Sequence, residues 1–167
     1  MSLKMFEIDD DYILKLKAVD NKVADPKIKS RIYPRKYLGI LFKVNDLKYF
    51  VNLTSFKEHK QLPEMLDHIH IGHYGSVNLN NMIPVIDGVY HYVDFSEINK
   101  TDKGYYSLLQ NEYRIIRKLS NKIIQNAIIV YNHKLTNVND TSLAHRCCDF
   151  QKLEQCAYEI QDSLIPI

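Results

Sequence analysis

The sequence predicts a single α+β domain spanning residues 1–167. Three observations carry this. Short apolar, β-branched and aromatic runs fill the first 95 residues, and stripes of helical period fill the rest, the order of an α+β rather than an alternating α/β chain. In 167 residues, 46% hydrophobic content supplies a core, while only 5 Gly and 5 Pro argue against disorder or a collagen-like repeat. No internal repeat and no linker composition interrupts the chain.

Leu3 to Ile8 alternates weakly and reads as a strand. Asp9, Asp10 and Asp11 then offer an N-cap and negative charge at a helix start. Tyr12, Leu16 and Val19 follow at i, i+4, i+7, one stripe on a helix ending near Asp20. Residues 20–35 hold two prolines without an apolar period and read as a loop. Tyr37 to Val44 and Lys48 to Leu53 read as a hairpin about Asn45-Asp46. Further strands are predicted at Asp67–Ile71, Ser76–Leu79, Met82–Ile86 and Val89–Phe95, the last two forming a hairpin about Asp87-Gly88. Beyond Asn99, the period of Tyr105, Leu109, Ile116, Leu119 and Ile123 predicts a long helix capped by Thr101 or Asp102, with a second stretch through Ile128 and Tyr131. Asp149 caps a last helix striped by Leu153, Ala157, Ile160 and Leu164.

The formal charge of +2 conceals an uneven distribution. Residues 1–60 hold 13 basic and 8 acidic residues, 61–112 hold 2 and 7, and 113–167 hold 7 and 5. Lys27, Lys29, Arg31, Arg35 and Lys36 fall in a ten-residue stretch without an acid, interleaved with Tyr33 and followed by Tyr37. Arg114, Arg117, Lys118 and Lys122 occupy another acid-free stretch, and Arg114, Lys118 and Lys122 share one helix face. Cations beside tyrosines suit a phosphodiester backbone and unstacked bases. A solvated helix face and a basic loop fit the same residues.

His68, His70 and His73 have a spacing that tempts a metal reading, and His68 and His70 share a face if they lie on a strand. No second ligand cluster matches them, and surface or half-buried imidazole is the simpler reading. Cys147, Cys148 and Cys156 form neither a disulfide framework nor a Cys-x-x-Cys motif, and read as structural thiols of a cytoplasmic protein. Phosphate-loop and nucleophile-elbow motifs are absent, and no apolar run is long enough for a membrane span. Leu53-Thr54-Ser55-Phe56-Lys57 places two hydroxyls and an ammonium where a strand gives way to a loop.

Four segments in order resemble the ToxN/AbiQ family, the toxins of type III toxin–antitoxin systems. They are Tyr37-Leu38-Gly39-Ile40 followed by Lys48 through Lys57 as one, Val77-Asn78-Leu79-Asn80-Asn81-Met82-Ile83-Pro84-Val85 as the second, and the helical stretches from Leu109 and from Cys148 as the third and fourth. The resemblance implies a strongly twisted antiparallel sheet surrounded by helices, similar to Kid/MazF toxins. It implies a metal-independent endoribonuclease without cofactor, acting on cellular or phage RNA. Its partner would be a repeat RNA antitoxin, pseudoknot-like, in a heteromeric protein–RNA assembly. Family site positions carry over onto Tyr12, Arg35, Thr54, Ser55 and Lys57. Lysine stands at the Arg35 position in the relative compared; Arg keeps the charge but exchanges no proton at neutral pH. On this reading Lys29, Arg31, Tyr33, Lys36 and the Arg114–Lys122 face bind RNA. A non-catalytic RNA-binding module and a histidine-centred metal hydrolase are the competing readings.

Overall fold

A computed structural model describes residues 2–26, 33–55 and 62–164 of the chain. Among these residues the strands are β1 (Lys4–Ile8), β2 (Tyr37–Gly39), β3 (Lys43–Val44), β4 (Leu47–Ser55), β5 (His68–Ile71), β6 (Gly75–Asn78), β7 (Ile83–Val85) and β8 (Tyr90–Tyr92). They form one antiparallel sheet in the order β5-β6-β4-β2-β1-β8, with β3 and β7 paired to β4. The sheet does not close, so β5 and β8 are its outer strands. The helices are α1 (Asp10–Val19), α2 (Phe95–Thr101), α3 (Lys103–Asn137), α4 (Ser142–Arg146) and α5 (Phe150–Ser163). This is the α+β architecture expected from the order of apolar patterns.

β4 organises the sheet because it is long enough to serve four partners. Its first half pairs with β3 and β7, and its second half with β2 and β6. The β3–β4 turn falls at Asn45-Asp46 as expected, with Asn45 taking the positive φ of 55° that asparagine tolerates better than most residues. The expected Asp87-Gly88 hairpin is corrected. Gly88 does turn the chain at φ 90°, but β7 pairs with β4 and β8 with β1. Local turn chemistry marked the bend and carried no information on the long-range partners.

The side chains of β4 divide the sheet's two faces by alternation. Leu53, Val77 and Ile69 stand opposite one another on one face and are buried in the core. The buried stripe of α3, including Leu109, Ile116, Ile123, Ala127 and Val130, joins that core. α3 runs unbroken for 35 residues, merging the two expected helical stretches, and Asp102 caps it by accepting from Tyr105 N. The Tyr49 and Tyr131 hydroxyls both donate to Glu154 Oε2, at 2.6 and 2.7 Å, which ties β4, α3 and α5 together. α2 and α4 have no counterpart in the sequence reading. α2 begins where β8 was expected to continue, because Asp94 accepts from Glu97 N and starts a helix there. Among the described residues, no helix is long and apolar enough to cross a membrane.

Candidate active site

The other face of the β5-β6-β4-β2 segment is polar. Tyr37 stands opposite Asn52. The Leu53 N to Lys36 O hydrogen bond at 2.8 Å carries this register past the end of β2, which brings Arg35 level with Thr54. Thr54 stands opposite Ser76, and Ser76 opposite His70. One step along, His68 faces Asn78. Two polar rows therefore cross the sheet, Arg35–Thr54–Ser76–His70 and Tyr37–Asn52 with Asn78–His68. The His68 and His70 rings lie 5.4 Å apart, which places them on one face as alternation requires.

Much of this layer is withdrawn from water, with Asn52 3% and Ser76 2% exposed, while Thr54, His70 and Asn78 are half-buried. Burying polar groups is costly unless they are paired, so a polar layer on a sheet face marks a place where shape and chemistry were kept for something other than packing. Asn52 Nδ2 donates to Thr54 Oγ1 at 3.0 Å, which orients the hydroxyl. Arg35 Nε donates to Asp25 O at 2.7 Å, which fixes the guanidinium plane. The Tyr37 hydroxyl is buried and has no hydrogen-bond partner among the described residues. Burial raises its pKa above the ordinary phenol value, and the nearby Arg35 charge acts in the opposite sense. The arrangement offers an oriented hydroxyl and a fixed cation at one level, the elements needed to hold a phosphate.

Of the family-derived site residues, the strand register thus places Arg35 level with Thr54. Ser55 ends β4 opposite Gly75. Its side chain, and the expected positions Lys57, Lys29 and Arg31, lie outside the described residues, as does His59. Tyr12, another family-derived site position, lies on α1. It is 2% exposed, its hydroxyl donates to Pro84 O at 2.6 Å, and burial raises its pKa well above the ordinary value. It ties α1 to β7. Lys36, from the expected RNA-binding set, immediately precedes β2. It is 4% exposed, ion-paired to Glu7 at 2.7 Å, and donates to Pro34 O at 2.9 Å. Tyr33 stacks on Tyr105 with ring centroids 3.9 Å apart, and its hydroxyl donates to Asp102. That hydrogen bond raises the tyrosine pKa and lowers the carboxylate's, and it anchors the segment before Arg35 to the start of α3.

On α3, Arg114, Arg117, Lys118 and Lys122 are all exposed. The Arg117 guanidinium sits 5.1 Å from the Tyr113 ring centroid, and Lys122 pairs with Glu64 at 3.5 Å. Lys134, in the same acid-free stretch, turns inward to the Val138 and Ala144 carbonyls at 2.6 and 2.9 Å, and ends the helix. Among the described residues no group of three or more His, Cys, Asp or Glu is placed to hold a metal ion. Burial pushes the Cys147 thiol up to about 11, away from nucleophilic character. Asn52, Ser76 and Asn78 were missed in the sequence. Their signal was polar residues at i, i+2 within three strands: Asn52/Thr54, Ser76/Asn78 and His68/His70.

Residues 4–158 match the family described as toxin ToxN of type III toxin–antitoxin systems. The chain is 29% identical over 166 residues to an endoribonuclease ToxN of Bacillus thuringiensis subsp. kurstaki, covering 95% of this chain and 84% of that one. It is 26% identical over 167 residues to an endoribonuclease AbiQ of Lactococcus lactis subsp. lactis, covering 92% and 87%. A solved structure from work on selective toxin inhibition by a non-coding RNA pseudoknot in type III systems superposes with a TM-score of 0.83 at 27% identity. That match covers 97% of this chain and 99% of the other.

Proposed function

Because the chain belongs to the ToxN family of type III toxin–antitoxin toxins, we propose that it is a sequence-specific, metal-independent endoribonuclease held inactive by a repeat RNA antitoxin. The observation that carries this reading is the level pairing of Arg35 and Thr54 on a buried polar sheet face. RNA contains its own nucleophile. Cleavage needs the 2′-hydroxyl in line with phosphorus and its proton taken by a base or by water, stabilisation of the charge that builds on the phosphoryl oxygens, and a proton for the departing 5′-oxygen. Thr54 Oγ1, oriented by Asn52, donates to one phosphoryl oxygen, and Arg35 holds the developing charge. Ser55 and Lys57, adjacent and three residues on, complete the anion-binding set by family resemblance. Lys57 is the group of this set able to give up a proton, since Arg35 keeps its charge at any ordinary pH. The products are a 2′,3′-cyclic phosphate and a 5′-hydroxyl.

The antitoxin meets the protein on its basic surfaces. Similarity to two endoribonucleases supports the cleavage activity, and the superposed structure supports a pseudoknot RNA as inhibitor. On this chain the exposed Arg114–Lys122 face suits a bulky RNA, and by family resemblance Tyr33, Lys29 and Arg31 also contact RNA. Incubating the purified protein with RNA in excess EDTA tests the reading. Fragments ending in 2′,3′-cyclic phosphate are expected, and loss of cleavage on adding the cognate repeat RNA. Intact RNA would leave the non-catalytic binding module, and cleavage abolished by chelation would refute metal independence.

A further inference from the structure

His68 lies on the same polar face but outside the cleavage chemistry described above. It is 4% exposed on β5, the outermost strand at that end of the sheet. Its Nδ1 is hydrogen-bonded to Asn78 Oδ1. An amide oxygen only accepts, so Nδ1 carries a proton, and in the tautomer this selects the lone pair lies at Nε2. That buried Nε2 has no hydrogen-bond partner among the described residues. Its neighbours are committed elsewhere: His70 Nε2 bonds Leu62 O at 2.7 Å, and Asn80 Nδ2 donates to Asp67 Oδ2 at 2.7 Å. A tautomer fixed on one side with a bare acceptor on the other is how an imidazole is set to read a donor.

We propose that His68 is a specificity-determining residue whose Nε2 accepts a hydrogen bond from the exocyclic amino group of an RNA base lying on this sheet face. The proposal rests on the endoribonuclease reading and adds to it a substrate preference. Distance separates His68 from the chemistry. Adjacent strands lie about 4.8 Å apart, so two strands put His68 about 10 Å across the sheet from Thr54, with a further offset along the strand. Proton transfer requires heavy atoms about 3 Å apart. A phosphate held by Arg35 and Thr54 is too far for His68 to act on, whereas the base of an adjoining nucleotide projects from the backbone by that order of distance. A lone pair favours the amine-bearing bases adenine, cytosine and guanine over uracil, since the amino group projects from the base edge and has a second hydrogen for Asn78 or water. Uracil offers only a ring N–H flanked by two carbonyl oxygens, and these would meet the lone pair head on. The small rearrangement needed to admit the amine is a side-chain rotation of the kind that commonly accompanies binding.

The test is cleavage of a random-sequence RNA pool by the full-length protein, with fragment ends sequenced. The wild type is expected to favour amine-bearing bases over uracil at one position by roughly 10- to 100-fold, the discrimination of one well-placed base contact. His68→Asn keeps an amide near Nδ1 and lacks a group at Nε2, so this preference should collapse toward parity. His68→Gln returns an amide oxygen to the Nε2 position and should restore much of it. A second measurement needs no variant: wild-type cleavage should slow by a similar factor when adenosine at that position is replaced by purine riboside, which lacks the amine. An unchanged preference in folded His68→Asn, or equal cleavage of adenosine and purine riboside substrates, overturns the proposal. Uniform loss at every site with preference intact also overturns it, pointing to a catalytic role instead. Absence of any cleavage by the wild type refutes the endoribonuclease reading itself, and the subsite with it.

Discussion

Arg35 and Lys36 are adjacent cations with different fates, and strand alternation decides which does what. Arg35 comes level with Thr54 on the polar face, while Lys36 points to the opposite side and is neutralised by Glu7. Arg35→Ala should therefore lower RNA cleavage by about 100-fold or more, the cost of losing one group that stabilises a developing anion. Lys36→Met should act on stability instead. It leaves Glu7, 22% exposed at its side chain, without its buried partner, and a loss of about 2 kcal/mol is expected in urea unfolding, discounted from a fully buried pair. Sequence could not separate these two residues, since both sit in one basic run without a local pattern. Only the register of β2 against β4 distinguishes them. Thr54 stood out because it lies near the end of a clear strand within a family motif. Tyr12 could not be assigned from pattern alone, because an aromatic on a helical stripe reads equally as site or core.

Elements held by local signals were read well, and those held by distant partners were not. β1, α1, the β3–β4 turn and the capped starts of α3 and α5 follow from alternation, period and the Asp caps at Asp102 and Asp149. The pairing of β7 with β4 and of β8 with β1 depends on residues tens of positions away. The connection between β5 and α4 is of the same long-range kind. Arg146 donates to both Asp67 oxygens, at 3.1 and 2.9 Å, and Asn80 adds a third bond at 2.7 Å. Burial alone would raise the Asp67 pKa, but these hydrogen bonds outweigh it and hold the carboxyl below its ordinary value. A lowered carboxyl contributes stability that is fully present above the unfolded value of about 3.9 and is lost as pH falls through the folded value. The stability gap between wild type and Asp67→Asn, read as urea midpoints, should therefore shrink from about pH 6 to about pH 3. A constant gap across that range would show that the pair does not anchor β5 through its charge.

Across the whole molecule, a net charge of +2 hides two separate basic regions. One is the sequence run from Lys27 to Lys36, which contains Arg35, and the other is the exposed Arg114–Lys122 face of α3. RNA affinity should fall linearly with log salt concentration, and Arg114→Gln with Lys118→Gln should flatten that slope by about 0.7 for each phosphate no longer neutralised. A double variant with the wild-type slope would remove α3 from the RNA interface. The central claim is that the polar sheet face is where RNA is cut. Single-turnover cleavage by Thr54→Ala at saturating protein tests it most directly, because saturation separates the chemical step from binding. The expected rate is about 100-fold or more below wild type, with RNA affinity changed by less than about threefold and the thermal midpoint preserved. A folded Thr54→Ala protein that cuts RNA at the wild-type rate would contradict it.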